Sequence, residues 1–352
     1  MSPKPQVLIA GESRPVCPSL AHTSAANPKT GLVWSKEEQA FKLGRVADVL
    51  ELTSPDRASF FKDLAPGGRY GSIVGIYRHN DSVSAIGLFD KELINKLPST
   101  LKYICHNGAG YDQIDVEACT ARGIQVSHTP QAVDEATATV GAFLAISAIR
   151  QFWRAEVNVR SGQWKAGLAP ARDPEGKTLG IVGMGGIGSA LARRLLAFDM
   201  KVIYYNRRPI QPAPDFPCTY VSTLDELLKQ SDVVSLNLPL NEKTKSSFGR
   251  REFGLMKDGS VLVNTARGAV VDEEALIEAL ESGKLASAGI DVFPDEPNVN
   301  PKLVAMDNIT LLPHMGTETR DTQKKMEILV LDNLVSALEG KGLLNQVAEQ
   351  KS

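Results

Sequence analysis

The segment Lys177–Arg208, KTLGIVGMGGIGSALARRLLAFDMKVIYYNRR, constrains the fold more than any other part of the chain. Leu179, Ile181 and Val182 form a short apolar run that stops at Gly183. Gly183, Gly185 and Gly188 then fall in G-x-G-x-x-G spacing, helical periodicity runs from Ala190 to Phe198, and Lys201–Tyr205 is rich in β-formers. The order is strand, glycine turn, helix, strand. In that setting the glycines give a tight turn, room for backbone to approach a pyrophosphate, and close helix–strand contact. Amides at the new helix's N-terminus, with its partial positive charge, suit phosphate. GMGGIG at 183–188, with Gly186 and Ile187 inside it, therefore predicts a dinucleotide site.

The end of the second strand selects among dinucleotides. An NAD site places a carboxylate roughly 20 residues on, against the adenosine ribose. Here that position is Asn206, followed by Arg207 and Arg208, and the next acid is Asp215. A carboxylate repels a 2′-phosphate, whereas guanidinium groups grip it through charge-assisted hydrogen bonds. The expectation is NADP(H) in preference to NAD(H).

A length of 352 residues predicts about two domains. The net charge of −2 gives no basic field, so neither nucleic acid nor an anionic membrane is an expected partner. MSPKPQVLIAGES lacks the apolar region of a signal peptide, and the most apolar helical stretch, near Val140–Ile149, is too short for a bilayer. Cys17, Cys105, Cys119 and Cys218 have no metal-like or disulfide-framework spacing, and the chain closes on Gln-Lys-Ser, not a peroxisomal signal. A cytoplasmic protein with reduced thiols and no metal is expected.

The first 130 residues alternate strand and helix. Apolar runs at Val7–Ala10, Val46–Leu52, Ser72–Tyr77, Lys102–Cys105 and Ile124–Ser127 predict buried parallel strands. Helical segments are predicted at Ser54–Leu64, Asp90–Leu97 and Ile114–Ala121. A long apolar helix is predicted from Pro130 to about Arg150, and Ser161–Gly176 reads as a surface connection. Beyond the glycine turn, strands are predicted at Asp232–Leu238, Ser260–Asn264, Leu285–Phe293 and Asn308–Leu312. Thr223 and Asp272 are placed to cap helices, and Thr319–Glu339 is an amphipathic helix.

In open parallel sheets, ligands bind beyond the carboxyl ends of the strands. Arg267, Glu296 and His314 each follow such an end. Singly, each also fits a structural role: an arginine paired within the fold, a turn carboxylate before Pro297, a hydrogen-bonded loop histidine. Together they supply what reduction of a 2-keto acid needs beside a nicotinamide. Histidine suits the proton step because its pKa lies near neutral. A nearby glutamate favours imidazolium, and arginine makes the bidentate carboxylate contact. His314 is the sole histidine after residue 128.

With these residues in view, the chain resembles the D-isomer-specific 2-hydroxyacid dehydrogenases. The resemblance rests on GMGGIG at 183–188, NTARG at 264–268, GIDVFPDEP at 289–297 and LPHMGTET at 312–319. HNGAGYDQID at 106–115 and HTPQAVDEATA at 128–138 extend it over nearly the whole chain. It implies an α/β protein of two doubly wound parallel-sheet domains. A Rossmann cofactor domain, residues 129–317, is inserted into a flavodoxin-like substrate domain, residues 1–128 and 318–352. It also implies an active site in a cleft between domains and a homodimer formed through the cofactor domain. Carried over, His314 is the acid/base, Glu296 its partner and Arg267 the substrate-orienting arginine. Ala109 and Gly110 match the turn whose amides hold the substrate carboxylate. Asp291 and Gly316 match positions facing the nicotinamide carboxamide, Thr137 a cofactor-contacting threonine, and Pro239 and Ala266 positions lining the cofactor.

Two departures stand out. The usual acid after Thr-Ala on the long helix is Thr139 here, and Asn206-Arg207-Arg208 replaces the NAD-binding acid. The latter resembles the NADPH-dependent glyoxylate/hydroxypyruvate reductases of the family. No regulatory domain is expected after the last helix. The expected reaction is NADPH-dependent reduction of a small 2-keto acid to the D-2-hydroxy acid. The alternatives are a reductase for a bulkier aromatic or branched keto acid, or a dinucleotide-sensing protein similar to the family's corepressors.

Overall fold

The computed structural model describes residues 3–11 and 35–351. Cys17 lies outside the described residues. Contacts divide the chain into two compact units, Met1–Ala132 with Thr319–Ser352, and Val133–Glu318.

The first unit is a parallel sheet of β1 (Gln6–Ala10), β2 (Asp48–Glu51), β3 (Ile73–His79), β4 (Tyr103–Asn107) and β5 (Gln125–Ser127). Its order is β2-β1-β3-β4-β5, the flavodoxin-like arrangement. Val7, Leu8, Ile9 and Ala10 are all buried, as a central parallel strand covered on both faces requires. The end of the chain returns to this unit. Thr319 caps the Arg320–Leu338 helix by accepting from Thr322 N–H at 3.1 Å. That helix buries Val330, Leu331 and Leu334 against Val7, Ile9, Tyr77 and Cys105. Gly75 makes the fit possible, because a Cβ there would lie 3.2 Å from Leu334 Cδ2.

The second unit holds β6 (Thr178–Val182), β7 (Lys201–Tyr205), β8 (Thr219–Tyr220), β9 (Val233–Leu236), β10 (Ser260–Asn264), β11 (Leu285–Ile290) and β12 (Ile309–Leu311). All pair in parallel, in the order β12-β11-β10-β9-β6-β7-β8. This is the doubly wound Rossmann order with one added strand, and its direction reverses between β6 and β9. The chain is thus an α/β protein of two parallel-sheet domains.

The long apolar helix begins at Asp134, not Pro130. Pro130–Val133 form a turn in which Gln131 takes φ +66°, which a right-handed helix does not admit. Further short elements lie where no element was predicted, among them the helices Phe152–Arg160, Arg250–Leu255 and Pro301–Ala305, and β8. Cys105 and Cys119 are buried free thiols and Cys218 a half-buried one. No helix among the described residues is long and apolar enough to cross a membrane.

The Asp134–Arg150 helix packs directly on β11 through Gly289, where a Cβ would stand 2.7 Å from Leu144 Cβ and 2.9 Å from Leu144 O. Backbone cannot yield as a side-chain tip does. Gly289→Ala should therefore cost about 1–3 kcal/mol through overpacking, read as a lower denaturant midpoint at unchanged slope. An unchanged midpoint would refute the close contact.

Candidate active site

The glycine turn follows β6 and opens the Gly186–Leu196 helix. Gly183 has φ +98°, and a Cβ there would meet Asn237 O at 2.5 Å. At Gly188 a Cβ would meet Gly183 O at 2.6 Å, and at Gly186 it would meet Asp134 Oδ2. At Gly185 it would meet nothing within 4 Å. Backbone packing thus demands glycine at 183 and 188, the Asp134 side chain crowds Gly186, and Gly185 leaves open space at the helix N-terminus. That is the cradle a pyrophosphate needs. Ile187 lies half-buried in the first turn.

Asn206, just past β7, is tied to this turn, accepting from Met184 N–H at 2.7 Å through Oδ1. Arg207 and Arg208 are exposed beside it. Two buried polar atoms at neighbouring strand ends, Asn237 Oδ1 after β9 and Thr265 Oγ1 after β10, have no hydrogen-bond partner among the described residues. A buried polar atom left unpaired is costly, and these two fit a bound polar ligand. They escape sequence reasoning because no motif marks an unsatisfied atom. Pro239 is exposed, with its carbonyl accepting from Thr244 Oγ1 at 2.6 Å, and Ala266 is buried. Thr139 is turned to the surface, donating to Glu135 O at 2.9 Å.

At the ends of β10, β11 and β12 the three ionisable candidates come together. Asn264 shapes the first turn: its Oδ1 accepts from Ala266 N–H and its Nδ2 donates to Arg267 O, each at 3.0 Å. Gly268 lets this turn touch the next loop, because a Cβ there would sit 2.0 Å from the Phe293 carbonyl carbon. In that loop Phe293 N–H donates to Glu296 Oε1 at 2.9 Å. The other carboxylate oxygen, Oε2, accepts from His314 Nδ1 at 2.8 Å. Arg267 donates to Ala266 O at 2.7 Å, and its charge acts on both Glu296 and His314.

Asp291 anchors His314 from below. It is 1% exposed, and its two oxygens accept from Met315 N–H at 2.7 Å and Gly316 N–H at 3.0 Å. Its carbonyl accepts from His314 N–H at 2.8 Å. Burial pushes the Asp291 carboxyl up to about 6, against these amides and the charge of His314. Thr137 completes the cluster by donating to Gly316 O at 3.3 Å. Ala109 and Gly110 lie in the other unit, in the turn after β4.

The electrostatics of the pair are set by contact. The hydrogen bond to Glu296 raises the His314 pKa; burial and Arg267 oppose, while the charges of Glu296 and Asp291 assist. Burial pushes the Glu296 carboxyl up, but His314, the Phe293 amide and Arg267 outweigh it and hold it low. With the carboxylate ionised, Nδ1 carries its proton toward Glu296 and Nε2 is directed away from that contact.

The sequence comparisons fall in line. Residues 142–316 match the D-isomer specific 2-hydroxyacid dehydrogenase, NAD binding domain. The 4-methyl-2-oxopentanoate reductase A of Aspergillus oryzae is 51% identical over 311 residues, 88% of this chain and 94% of that one. The crystal structure of a glyoxylate reductase from Paecilomyes thermophila superposes with a TM-score of 0.90 at 47% identity, covering 99% of this chain and 100% of the other. An NADPH-dependent glyoxylate/hydroxypyruvate reductase from Sinorhizobium meliloti, solved with NADP and malonate, gives 0.80 at 29% identity, covering 98% of this chain and 97% of the other. Fold and site define an oxidoreductase that works with a nicotinamide dinucleotide. The chain belongs to the D-isomer-specific 2-hydroxyacid dehydrogenase family.

A raised imidazole and a lowered carboxyl set the pH window of the pair. The stability contributed by His314 is fully present below the ordinary histidine value of 6.5 and is lost as pH rises through its raised value. That contributed by Glu296 is present above its ordinary 4.5 and is lost as pH falls through its lowered value. Glu296→Gln should therefore lower the His314 pKa, read from the imidazole carbon-bound proton in an NMR titration. A pKa that stays in place would show that Glu296 does not govern the imidazole.

Proposed function

We propose that this protein reduces a small 2-keto acid of the glyoxylate/hydroxypyruvate type to its D-2-hydroxy acid, using NADPH in preference to NADH. The observation that carries the reading is the His314–Glu296 pair with the Arg267 charge beside it, at strand ends of the dinucleotide-binding unit. A reduced nicotinamide, when bound by this unit, would supply the hydride that the keto carbon takes up. His314 gives the Nε2 proton to the keto oxygen and becomes neutral imidazole, recovering a proton from solvent. Glu296 keeps the ring oriented and favours its charged form before transfer. Arg267 grips the substrate carboxylate. In the first unit, the Ala109–Gly110 turn is assigned to carboxylate binding, since successive backbone amides make an anion-binding concavity.

NADPH preference is supported by the absence of a carboxylate at Asn206 and by two exposed guanidinium groups next to it. Thr137, Ala266, Asp291, Gly316 and Pro239 are assigned to the cofactor side of the site. The name of the Aspergillus oryzae relative favours a second reading, a branched keto acid as substrate. We also infer a homodimer through the dinucleotide-binding unit, supported by the exposed Phe143, Phe152 and Trp164.

The test follows NADPH absorbance with glyoxylate, hydroxypyruvate, 4-methyl-2-oxopentanoate and phenylpyruvate. Turnover of the first two should exceed that of the bulkier pair, and no turnover of any would overturn the reading. His314→Ala should lower kcat roughly 10²–10⁴-fold while the variant still binds NADPH. Arg207→Ala should narrow the NADPH/NADH ratio of kcat/KM by about tenfold. An unchanged ratio would remove Arg207 from cofactor selection.

A further inference from the structure

The Gly108–Tyr111 turn has its carbonyls tied down one after another. Gly108 O accepts from Thr129 N–H at 3.0 Å, Ala109 O from His128 Nδ1 at 2.8 Å, and Gly110 O from His106 Nε2 at 3.0 Å. In a planar trans peptide the N–H points opposite to the C=O. Fixing these three carbonyls therefore aims each N–H, of Ala109, Gly110 and Tyr111, away from the group that holds its own carbonyl. None of the three donates to an acceptor among the described residues.

Two of the tethers are histidines, and one is backed by a buried cation. His106 and Arg78 are both 0% exposed. Arg78 Nη1 lies 3.1 Å from His106 Nδ1 and 2.7 Å from Asn80 Oδ1. Because Gly110 O only accepts, His106 Nε2 carries the proton and Nδ1 is left to accept from Arg78. Burial, reinforced by the Arg78 charge, depresses the His106 pKa and keeps this tautomer neutral. Gly108 is required for the arrangement, since a Cβ there would lie 2.4 Å from His106 Nε2. The third residue, His128, is steadied by an edge-on contact with the Tyr111 ring at 5.1 Å.

We propose that Arg78, His106 and His128 are positioning residues that present the amides of Ala109, Gly110 and Tyr111 to the carboxylate of the substrate. This rests on the assignment of that turn to carboxylate binding. Preorganised donors of this kind act without reorganising when the anion arrives.

The experiment is a ¹⁵N amide shift titration of the full chain, saturated with NADP⁺, using oxamate as a non-reacting isostere of a 2-keto acid. The amide signals of Ala109, Gly110 and Tyr111 should move together in the wild type. His128→Ala should lose most of the Gly110 response, and His128→Asn, whose side-chain amide takes the place of Nδ1–H, should regain it. His106→Gln against His106→Leu tests the other tether through the Tyr111 signal. In turnover, His128→Ala should raise KM about five- to tenfold, as loss of one orienting hydrogen bond predicts, with kcat close to wild type and KM recovered in His128→Asn. A folded His128→Ala that responds to oxamate as the wild type does, or an asparagine no better than alanine, overturns the proposal. Amides that ignore oxamate in the wild type overturn it as well. Amides that respond in a protein that turns over no keto acid leave this assignment standing and overturn the proposed reaction.

Discussion

Everything at the ends of β11 and β12 hangs on one buried carboxylate. Asp291 takes two amide N–H groups from the Met315–Gly316 turn, and its own carbonyl takes a third from His314. These bonds hold His314 at φ +55°, a left-handed conformation that a non-glycine residue adopts at a cost on the order of 1 kcal/mol or more. The price is met by over-determination: three hydrogen bonds from one residue leave the backbone no cheaper conformer. The result is an imidazole whose Nδ1 reaches Glu296. Burying Asp291 is itself unfavourable, which is why its carboxyl is pushed up to about 6 even with two amides on it. A hydrophobic residue could fill that space but could not fix the turn.

The same logic explains how Arg267 is carried to the pair. Its position depends on two backbones touching at Gly268, and the touch requires the absence of one methyl group. Asn264 then closes the turn with both ends of its amide. Charge, strain and close packing are thus concentrated at strand ends, where the sheet is rigid and its edge residues are free to face a ligand.

Much of this was legible in the sequence, for identifiable reasons. Parallel strands covered on both faces are apolar along their length, so Val7–Ala10 and Val261–Val263 announce themselves as unbroken runs. The glycine turn is legible because packing forbids any other residue at Gly183 and Gly188. Arg267, Glu296 and His314 were legible once those strands were located. Other features depend on tertiary context and leave no local trace. The two-residue β8 exists only because β7 offers it an edge. The start of the long helix moves to Asp134 because Gln131 adopts a positive φ that its identity does not signal. Asn237 and Thr265 look like any polar residues until their burial and missing partners are seen.

The histidines make the sharpest case, because one residue type is used in opposite electrostatic senses. His314 leans on a carboxylate and has its pKa raised; His106 is sealed against a guanidinium and has its pKa driven down. The difference suits the role proposed for each ring. A group that delivers a proton near neutral pH must carry it beforehand, which requires an anion at Nδ1. A group that links a guanidinium to a carbonyl must accept at one nitrogen and donate at the other, and only neutral imidazole does both. Protonating His106 would set an N–H against the Arg78 N–H and add a second buried positive charge beside the first. Sequence alone does not separate the two, since each histidine comes after a short apolar run, Tyr103–Cys105 before His106 and Ile309–Leu312 before His314. What separates them is the sign of the neighbour, Glu296 in one unit and Arg78 in the other, and that neighbour is fixed only when the strands are laid side by side.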